Sequence, residues 1–158
     1  MDPRVRRLLG IVSIAATLGG CGSTPSGSLP LATSGPLGGL PTVDRSFPPD
    51  RVIDVELAAP TRLLSHGEPL ARLELKAGRE YLFRVTNTSN GTVDHNFYVG
   101  APADLIDRRY DRLTGIPVFS SGTAEFTYTV PQPGARLQFA CTLFEHYGAM
   151  HGDLVIEP

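Results

Sequence analysis

The chain has 158 residues, 41% of them apolar and 19% charged, which is the composition of an ordinary soluble protein of about one domain. The formal charge of −2, from 14 basic and 16 acidic side chains, excludes a broadly basic nucleic-acid-binding surface. No apolar run reaches the roughly 20 residues of a membrane span, and two cysteines are too few for a disulfide scaffold or a four-cysteine zinc site. We therefore expect one folded domain, a monomer, with no nucleic-acid partner.

The first twenty residues have the form of a secretory signal peptide. A basic segment with Arg4, Arg6 and Arg7 precedes an apolar segment over residues 8–18, and Gly19 and Gly20 then lead to Cys21. Small residues before a cysteine at this distance resemble the bacterial lipoprotein processing site. The resemblance implies cleavage before Cys21, lipidation of its sulfur, and an extracytoplasmic domain anchored to a bacterial membrane. The alternative is an ordinary signal peptide with a cysteine nearby by accident.

Residues 21–49 are predicted to be a flexible linker that begins at the lipidated cysteine. Residues 22–49 contain five Gly, six Pro, five Ser and three Thr, so they cannot bury enough apolar surface to offset the entropy of ordering. We interpret this stretch as a tether between the membrane and a folded domain over residues 50–158.

The folded domain has the pattern of an all-β protein. Apolar alternation and breaker residues predict seven strands, over residues 51–57, 71–76, 81–87, 96–99, 124–130, 136–141 and 153–157. About seven or eight short strands without a long helix favour a Greek-key β-sandwich or small barrel. Residues 101–115 are expected to form a polar connection between strands, with one or two helical turns. Their charged side chains are expected to face solvent and not to form a site.

Two segments of this domain carry side chains that can bind a metal ion. His95 lies just before a predicted strand, and residues 141–150 read C-x4-H-x3-M in the connection between the last two predicted strands. Together they supply two imidazoles from His95 and His146, a thiolate from Cys141 and a thioether from Met150. Two His and one Cys with a weak axial Met form the ligand set of a blue-copper site. The sequence therefore predicts one type 1 copper ion as the cofactor.

The domain resembles the cupredoxins, the mononuclear type 1 copper family that includes azurin, plastocyanin and auracyanin. The loop spacing is azurin-like, and the His95–Asn96 pair and the Met150-x-Gly152 approach to the last strand add to the likeness. The resemblance implies that His95, Cys141 and His146 are the strong ligands and that Met150 is the axial one. It also implies that Asn96 bonds near Thr142, and that the carbonyl of Asp94 can lie on the opposite axial side.

One departure from the family pattern lies inside the ligand loop. Many relatives carry Pro-Gly just before the second histidine, whereas this chain has Phe144 and Glu145. The loop length is unchanged, so we expect ligation to survive. Glu145 places a carboxylate beside His146, while Phe144, Tyr147 and Ala149 remain available for an apolar docking patch.

Each ligand candidate also has an ordinary structural alternative. A buried cysteine is usually a small apolar side chain, and a disulfide between Cys21 and Cys141 is conceivable, although it would leave the lipoprotein site unexplained. A dinuclear copper site needs two cysteines in the loop, and a catalytic zinc site needs a water position and a general base that the sequence does not supply. His66 and His151 are expected to be surface residues, although the position of His151 beside Met150 leaves a substitute-ligand role open.

These features predict an electron carrier and not an enzyme. Copper alternating between Cu(I) and Cu(II) would move single electrons between redox proteins such as cytochromes or terminal reductases, and the exposed imidazole edge of His146 is the expected exit. The alternative is a copper-binding protein for delivery, scavenging or resistance. A cupredoxin-like module without metal is disfavoured by the complete ligand set.

Overall fold

The computed structural model describes residues 39–158, which fold into ten β-strands with short helical turns between some of them. The predictions for the signal peptide, for Cys21 and for most of the linker lie outside the described residues. The strands are β1 Val52–Ala58, β2 Arg62–Ser65, β3 Glu68–Pro69, β4 Arg72–Lys76, β5 Glu80–Asn87, β6 His95–Gly100, β7 Thr114–Phe119, β8 Gly122–Thr129, β9 Leu137–Ala140 and β10 His151–Glu157. All seven predicted strands are present, and β2, β3 and β7 were not predicted.

The strands form two five-stranded sheets. The first has the order β3-β2-β1-β5-β8, and the second has the order β4-β10-β9-β6-β7. The β1–β5 and β4–β10 pairs are parallel, and the other pairs are antiparallel. The predicted all-β sandwich is confirmed, with ten strands where seven or eight were expected.

The three unpredicted strands have local reasons for their weak sequence signal. The β2–β3 hairpin turns at His66 and Gly67, both of which have positive φ, and β3 contains only two residues. Strand β7 contains Gly115 and Pro117, which normally break a strand. Because β7 lies at the edge of its sheet, a proline there costs no central ladder hydrogen bond.

Aromatic side chains from both sheets form the centre of the core. Phe83 of β5 stacks on Phe126 of β8 with ring centroids 5.0 Å apart, and it lies 5.8 Å from Phe97 of β6. Phe97 in turn lies 6.0 Å from Phe139 of β9. Phe83, Phe97 and Phe139 are fully buried, so the apolar packing holds β6 and β9 firmly against the opposite sheet.

The connection between β6 and β7 contains the predicted helical turns. Helix α1 covers Pro102–Ile106, and a 3-10 turn covers Tyr110–Arg112. Leu105 is buried, whereas most charged side chains of the segment are exposed. None of the helices in the described part of the chain has the length and apolar character needed to cross a membrane.

The last residues of the predicted linker contact the edge of the first sheet. The backbone N–H of Glu125 in β8 donates to the carbonyl of Pro41 at 2.7 Å, and the Val43 N–H donates to the Glu125 carboxylate at 3.2 Å. Leu40 packs against the core, and Arg45 pairs with Glu80. This segment therefore covers part of the β8 edge, while the predicted boundary at residue 50 stays a prediction.

Strand β7 lies so close to β6 that no side chain larger than that of glycine fits at position 115. A Cβ atom there would lie 2.0 Å from the Phe97 carbonyl oxygen and 2.7 Å from Tyr98 Cα. We expect Gly115→Ala to lower the free energy of unfolding by about 2–3 kcal/mol, because backbone atoms must move. Denaturant unfolding of the copper-free chain measures this change.

Gly148→Ala is the matched control, since nothing lies within 4 Å of its added Cβ. It should change stability by no more than about 0.5 kcal/mol. Equal stability of the two variants would show that β6 and β7 are not packed as described.

Candidate metal centre

Three neighbouring strands bring the candidate ligands to one end of the sandwich. His95 is the first residue of β6, Cys141 follows the end of β9, and the loop from Cys141 to Met150 leads directly into β10. Ala140 at the end of β9 pairs with Tyr98 of β6 on one side and with His151 of β10 on the other. The sheet register therefore places the ligand-bearing segments side by side.

The three strong-ligand candidates converge around one sulfur atom. The Cys141 Sγ lies 3.8 Å from His95 Nδ1 and 3.5 Å from His146 Nδ1, and the three possible ligand atoms are all within 4.8 Å of one another. His95 and Cys141 are fully buried, whereas His146 is partly exposed. One small cation can reach all three donors, and one of them has an edge toward solvent.

The protonation equilibria of the buried donors depend on their surroundings. Burial raises the pKa of the Cys141 thiol, and hydrogen bonds from the backbone N–H groups of Asn96 and Leu143 act in the opposite direction. Burial, together with the nearby His146, lowers the pKa of His95, which favours the neutral imidazole that binds metals. A bound cation would complete the stabilisation of the thiolate.

His95 has few polar contacts besides the site itself. Its Nε2 atom is buried and has no hydrogen-bond partner among the described residues, while its Nδ1 atom faces Cys141. Ligation through Nδ1 would therefore be the main polar interaction of this buried ring.

Backbone hydrogen bonds close the ligand loop on itself. The Cys141 N–H donates to the Met150 carbonyl at 2.9 Å, the Met150 N–H donates to the His146 carbonyl at 2.8 Å, and the His146 N–H donates to the Leu143 carbonyl at 3.0 Å. Met150 is completely buried. The loop is thus held by its own backbone hydrogen bonds, and the axial role of Met150 stays a prediction.

Asn96 ties the loop to β6 as expected. Its side-chain oxygen accepts a hydrogen bond from the Thr142 N–H at 2.7 Å, and its side-chain nitrogen donates to the Thr142 hydroxyl at 2.9 Å. Both residues are buried. This pair holds the residues next to His95 and Cys141 together, which limits movement of the ligands.

The residues that replace Pro-Gly adopt an exposed turn. Glu145 has a φ of 69°, a left-handed conformation that costs a non-glycine residue roughly 1–2 kcal/mol, and its side chain is exposed. Phe144 is 77% exposed, and Ala149 is also exposed. The predicted carboxylate beside His146 and a small apolar surface are therefore both present at this end of the molecule.

The remaining histidines lie on the surface as expected. His66 is in the β2–β3 turn, and exposed His151 stacks on Tyr147 with ring centroids 5.0 Å apart. The His151 Nδ1 atom lies 2.8 Å from the Tyr147 carbonyl oxygen, so this nitrogen already has a partner. The axial contact of the Asp94 carbonyl stays a prediction.

Most charged side chains of residues 101–115 are exposed, as expected, but Arg108 and Tyr110 of this segment also contact the ligand loop. Arg108 Nε donates to the Thr142 carbonyl at 2.8 Å, and the Tyr110 hydroxyl lies 3.3 Å from the Thr142 hydroxyl. These contacts join residues more than thirty positions apart, and no local sequence pattern signals them. The β6–β7 connection therefore supports the ligand loop.

The donor set fits copper better than other common metals. Thiolate sulfur suits Cu(I), imidazole nitrogen suits both copper oxidation states, and three such donors with a thioether nearby form the type 1 pattern. A closed zinc site would require four firm tetrahedral ligands. His95, Cys141 and His146, with Met150 in the same buried cluster as Cys141, therefore form a site for one type 1 copper ion.

Replacing Asn96 tests whether its hydrogen bonds order the site. Asn96→Ala removes both bonds and leaves the buried polar groups of Thr142 short of partners, so we expect the copper-free chain to lose about 2–3 kcal/mol of stability. Thr86→Ala is the control, because it removes one hydroxyl pair with Thr123 on the surface and should cost no more than about 0.5 kcal/mol. Equal losses in denaturant unfolding would contradict the assignment.

No protein-family model and no curated protein sequence matches the chain. Solved structures match it in fold. The auracyanin from Roseiflexus castenholzii aligns with a TM-score of 0.56 at 17% identity, over 68% of this chain and 98% of that one. Auracyanin A from Chloroflexus aurantiacus aligns with a TM-score of 0.52 at 20% identity, over 67% and 98% of the two chains.

An azurin from Methylomonas sp. strain J aligns with a TM-score of 0.56 at 14% identity, over 68% of this chain and 98% of the azurin. These proteins share the sandwich of two β-sheets described above. The domain therefore has the cupredoxin fold.

Proposed function

We propose that the protein is a type 1 copper protein that carries single electrons between extracytoplasmic redox partners. The observation that carries this proposal is the convergence of one thiolate and two imidazole donors around a buried point at the end of the sandwich. A bound copper ion would supply the Cu(I)/Cu(II) couple. The protein would supply the geometry, the burial and the hydrogen bonds.

The buried donors would keep water away from the site. His95, Cys141 and Met150 are fully buried, and the loop between Cys141 and Met150 is closed by its own hydrogen bonds. Such a preformed loop changes little when the charge of the site changes, so little reorganisation is required during electron transfer.

His146 is the proposed point of electron exit. It is the ligand candidate with partial exposure, and the exposed Phe144 and Ala149 lie in the same loop. An apolar contact of this kind suits brief docking of a redox protein, such as a cytochrome or a terminal reductase. The exposed carboxylate of Glu145 would favour a partner with basic groups around its contact surface.

Proteins that share the fold are consistent with this proposal. Auracyanin A is a "blue" copper protein, and the auracyanin from Roseiflexus castenholzii comes from a photosynthetic bacterium and was reduced with dithionite. Reversible reduction of a copper centre is the property that we propose for this chain.

Electron transfer and copper delivery predict different behaviour of the copper-loaded chain. A carrier must hold the ion in both oxidation states, so we expect reversible voltammetric waves over repeated cycles and slow loss of Cu(I) to a competing chelator. Cys141→Ser is the control, because a hydroxyl cannot replace the thiolate donor, and this variant should lose the intense thiolate-to-copper absorption and the reversible wave.

Irreversible waves with rapid transfer of Cu(I) to the chelator would contradict the carrier proposal and favour copper delivery. Unchanged absorption in the Cys141→Ser variant would contradict the type 1 site itself.

We propose further that Cys21 anchors the protein to a membrane through attached lipid, with the predicted linker, up to the residues that contact the first sheet, as the tether. The support is the order of a basic segment, an apolar segment and small residues directly before Cys21. We expect Cys21→Ala to abolish incorporation of labelled fatty acid in a bacterial host, while the copper site still forms. Ser23→Ala, two positions later, should leave labelling unchanged, and persistent labelling of the Cys21 variant would contradict the anchor.

A further inference from the structure

Every polar group of Thr142 has a partner from outside the ligand loop. The Asn96 side chain accepts a hydrogen bond from the Thr142 N–H and donates one to the Thr142 hydroxyl. The Tyr110 hydroxyl lies 3.3 Å from the same hydroxyl, and Arg108 Nε donates to the Thr142 carbonyl at 2.8 Å. Thr142 follows the candidate ligand Cys141. Two separate elements, β6 and the β6–β7 connection, thus hold the first residues of the loop.

The backbone of Arg108 is in an unusual conformation. It has a φ of 55° just after the end of helix α1, at a position where helices commonly end with glycine. A non-glycine residue in the left-handed region costs roughly 1–2 kcal/mol. The Arg108 N–H still bonds to the Leu105 carbonyl, at 3.3 Å, so the backbone has the form of a helix end although its side chain is unfavourable there.

The guanidinium group also reaches a second residue of the loop. Arg108 Cζ lies 5.9 Å from the centre of the Phe144 ring, within the range of a cation–π contact. Phe144 is 77% exposed, and such an exposed ring has no packing from the core to hold it in place. Arg108 therefore contacts both the start of the loop and its most exposed apolar side chain.

We propose that Arg108 is a positioning residue for the metal-binding loop. Its Nε–H holds the Thr142 carbonyl, while Asn96 holds the N–H of the same residue, and its guanidinium orients Phe144 at the contact surface. The unfavourable backbone conformation of an arginine at this helix end is offset by these contacts. Glycine would suit the backbone better but would leave the loop without this support.

The inference deepens the proposed electron-carrier function, because it concerns the same loop. Ordering of the loop can nevertheless be measured on the copper-free chain, where no electron transfer takes place. A failure of this inference is therefore distinguishable from a failure of the proposed function.

Arg108→Gly separates the two possible roles of this residue. If Arg108 positions the loop, the glycine variant should keep or increase global stability while the loop amides of His146, Ala149 and Met150 exchange with solvent about tenfold faster. These amides donate the hydrogen bonds that close the loop. Hydrogen exchange followed by NMR on the full copper-free chain measures both quantities, with core amides of β5 as the reference.

Arg112→Gln is the control for loss of one positive charge. Arg112 lies in the same connection but pairs at 3.7 Å with Asp104, away from the loop, and 60% of its side chain is exposed. This variant should leave loop exchange unchanged, whereas Arg108→Met, which has no N–H to replace the Nε–H donor, should accelerate it as Arg108→Gly does.

Unchanged loop exchange in Arg108→Gly would overturn the proposal and leave Arg108 with a helix-end role alone. Equal acceleration by Arg112→Gln would also overturn it, because a general effect of charge would then explain the result.

Discussion

Asn96 makes the contacts on which the metal site depends. Its side-chain amide binds both the N–H and the hydroxyl of Thr142, and its backbone N–H helps to lower the pKa of the Cys141 thiol against the effect of burial. Asn96 and Thr142 are separated by 46 positions in the chain. Each is next to a candidate ligand, so one residue fixes the distance between the two ligand-bearing segments and also stabilises the thiolate.

The aromatic core makes this arrangement rigid. Phe97 and Phe139 lie in the two strands that end at the site, and both are fully buried against the other sheet. Movement of His95 relative to Cys141 would require β6 and β9 to slide past each other, which would break their ladder hydrogen bonds. The sandwich therefore holds the buried donors close together. The same burial raises the pKa of the Cys141 thiol and so disfavours the thiolate in the absence of a cation.

Local sequence patterns predicted most of the fold and the ligand set, because strand alternation and ligand spacing are both visible within short segments of the chain. Alternation identified the seven longer strands, and the spacing from Cys141 to Met150 lies within one loop. Strand β7, which contains Gly115 and Pro117, was not predicted. Its position at the edge of the sheet permits these residues, and that position is known only from the assembled sheet. The contact between Arg108 and Thr142 escaped for a similar reason, since it depends on how the β6–β7 connection folds back over the loop.

Two residues with an unfavourable backbone conformation lie near the candidate copper site. Four non-glycine residues of the described chain have a positive φ, and two of them, Arg108 and Glu145, lie in the ligand loop or in the segment that contacts it. His66 lies in a hairpin turn, and Asn90 is a residue type that tolerates this conformation. Arginine and glutamate are less favourable in this conformation than asparagine, histidine or glycine.

The two strained residues place opposite charges beside the same surface. The Arg108 guanidinium lies over Phe144, and the exposed carboxylate of Glu145 directly precedes His146 in the chain. An apolar ring with a cation on one side and an anion nearby can accept a docking protein in fewer orientations than a uniformly apolar surface can, because like charges repel the wrong orientations. If a redox protein docks on this surface as proposed, the charges of Arg108 and Glu145 would therefore favour one orientation of that protein over others.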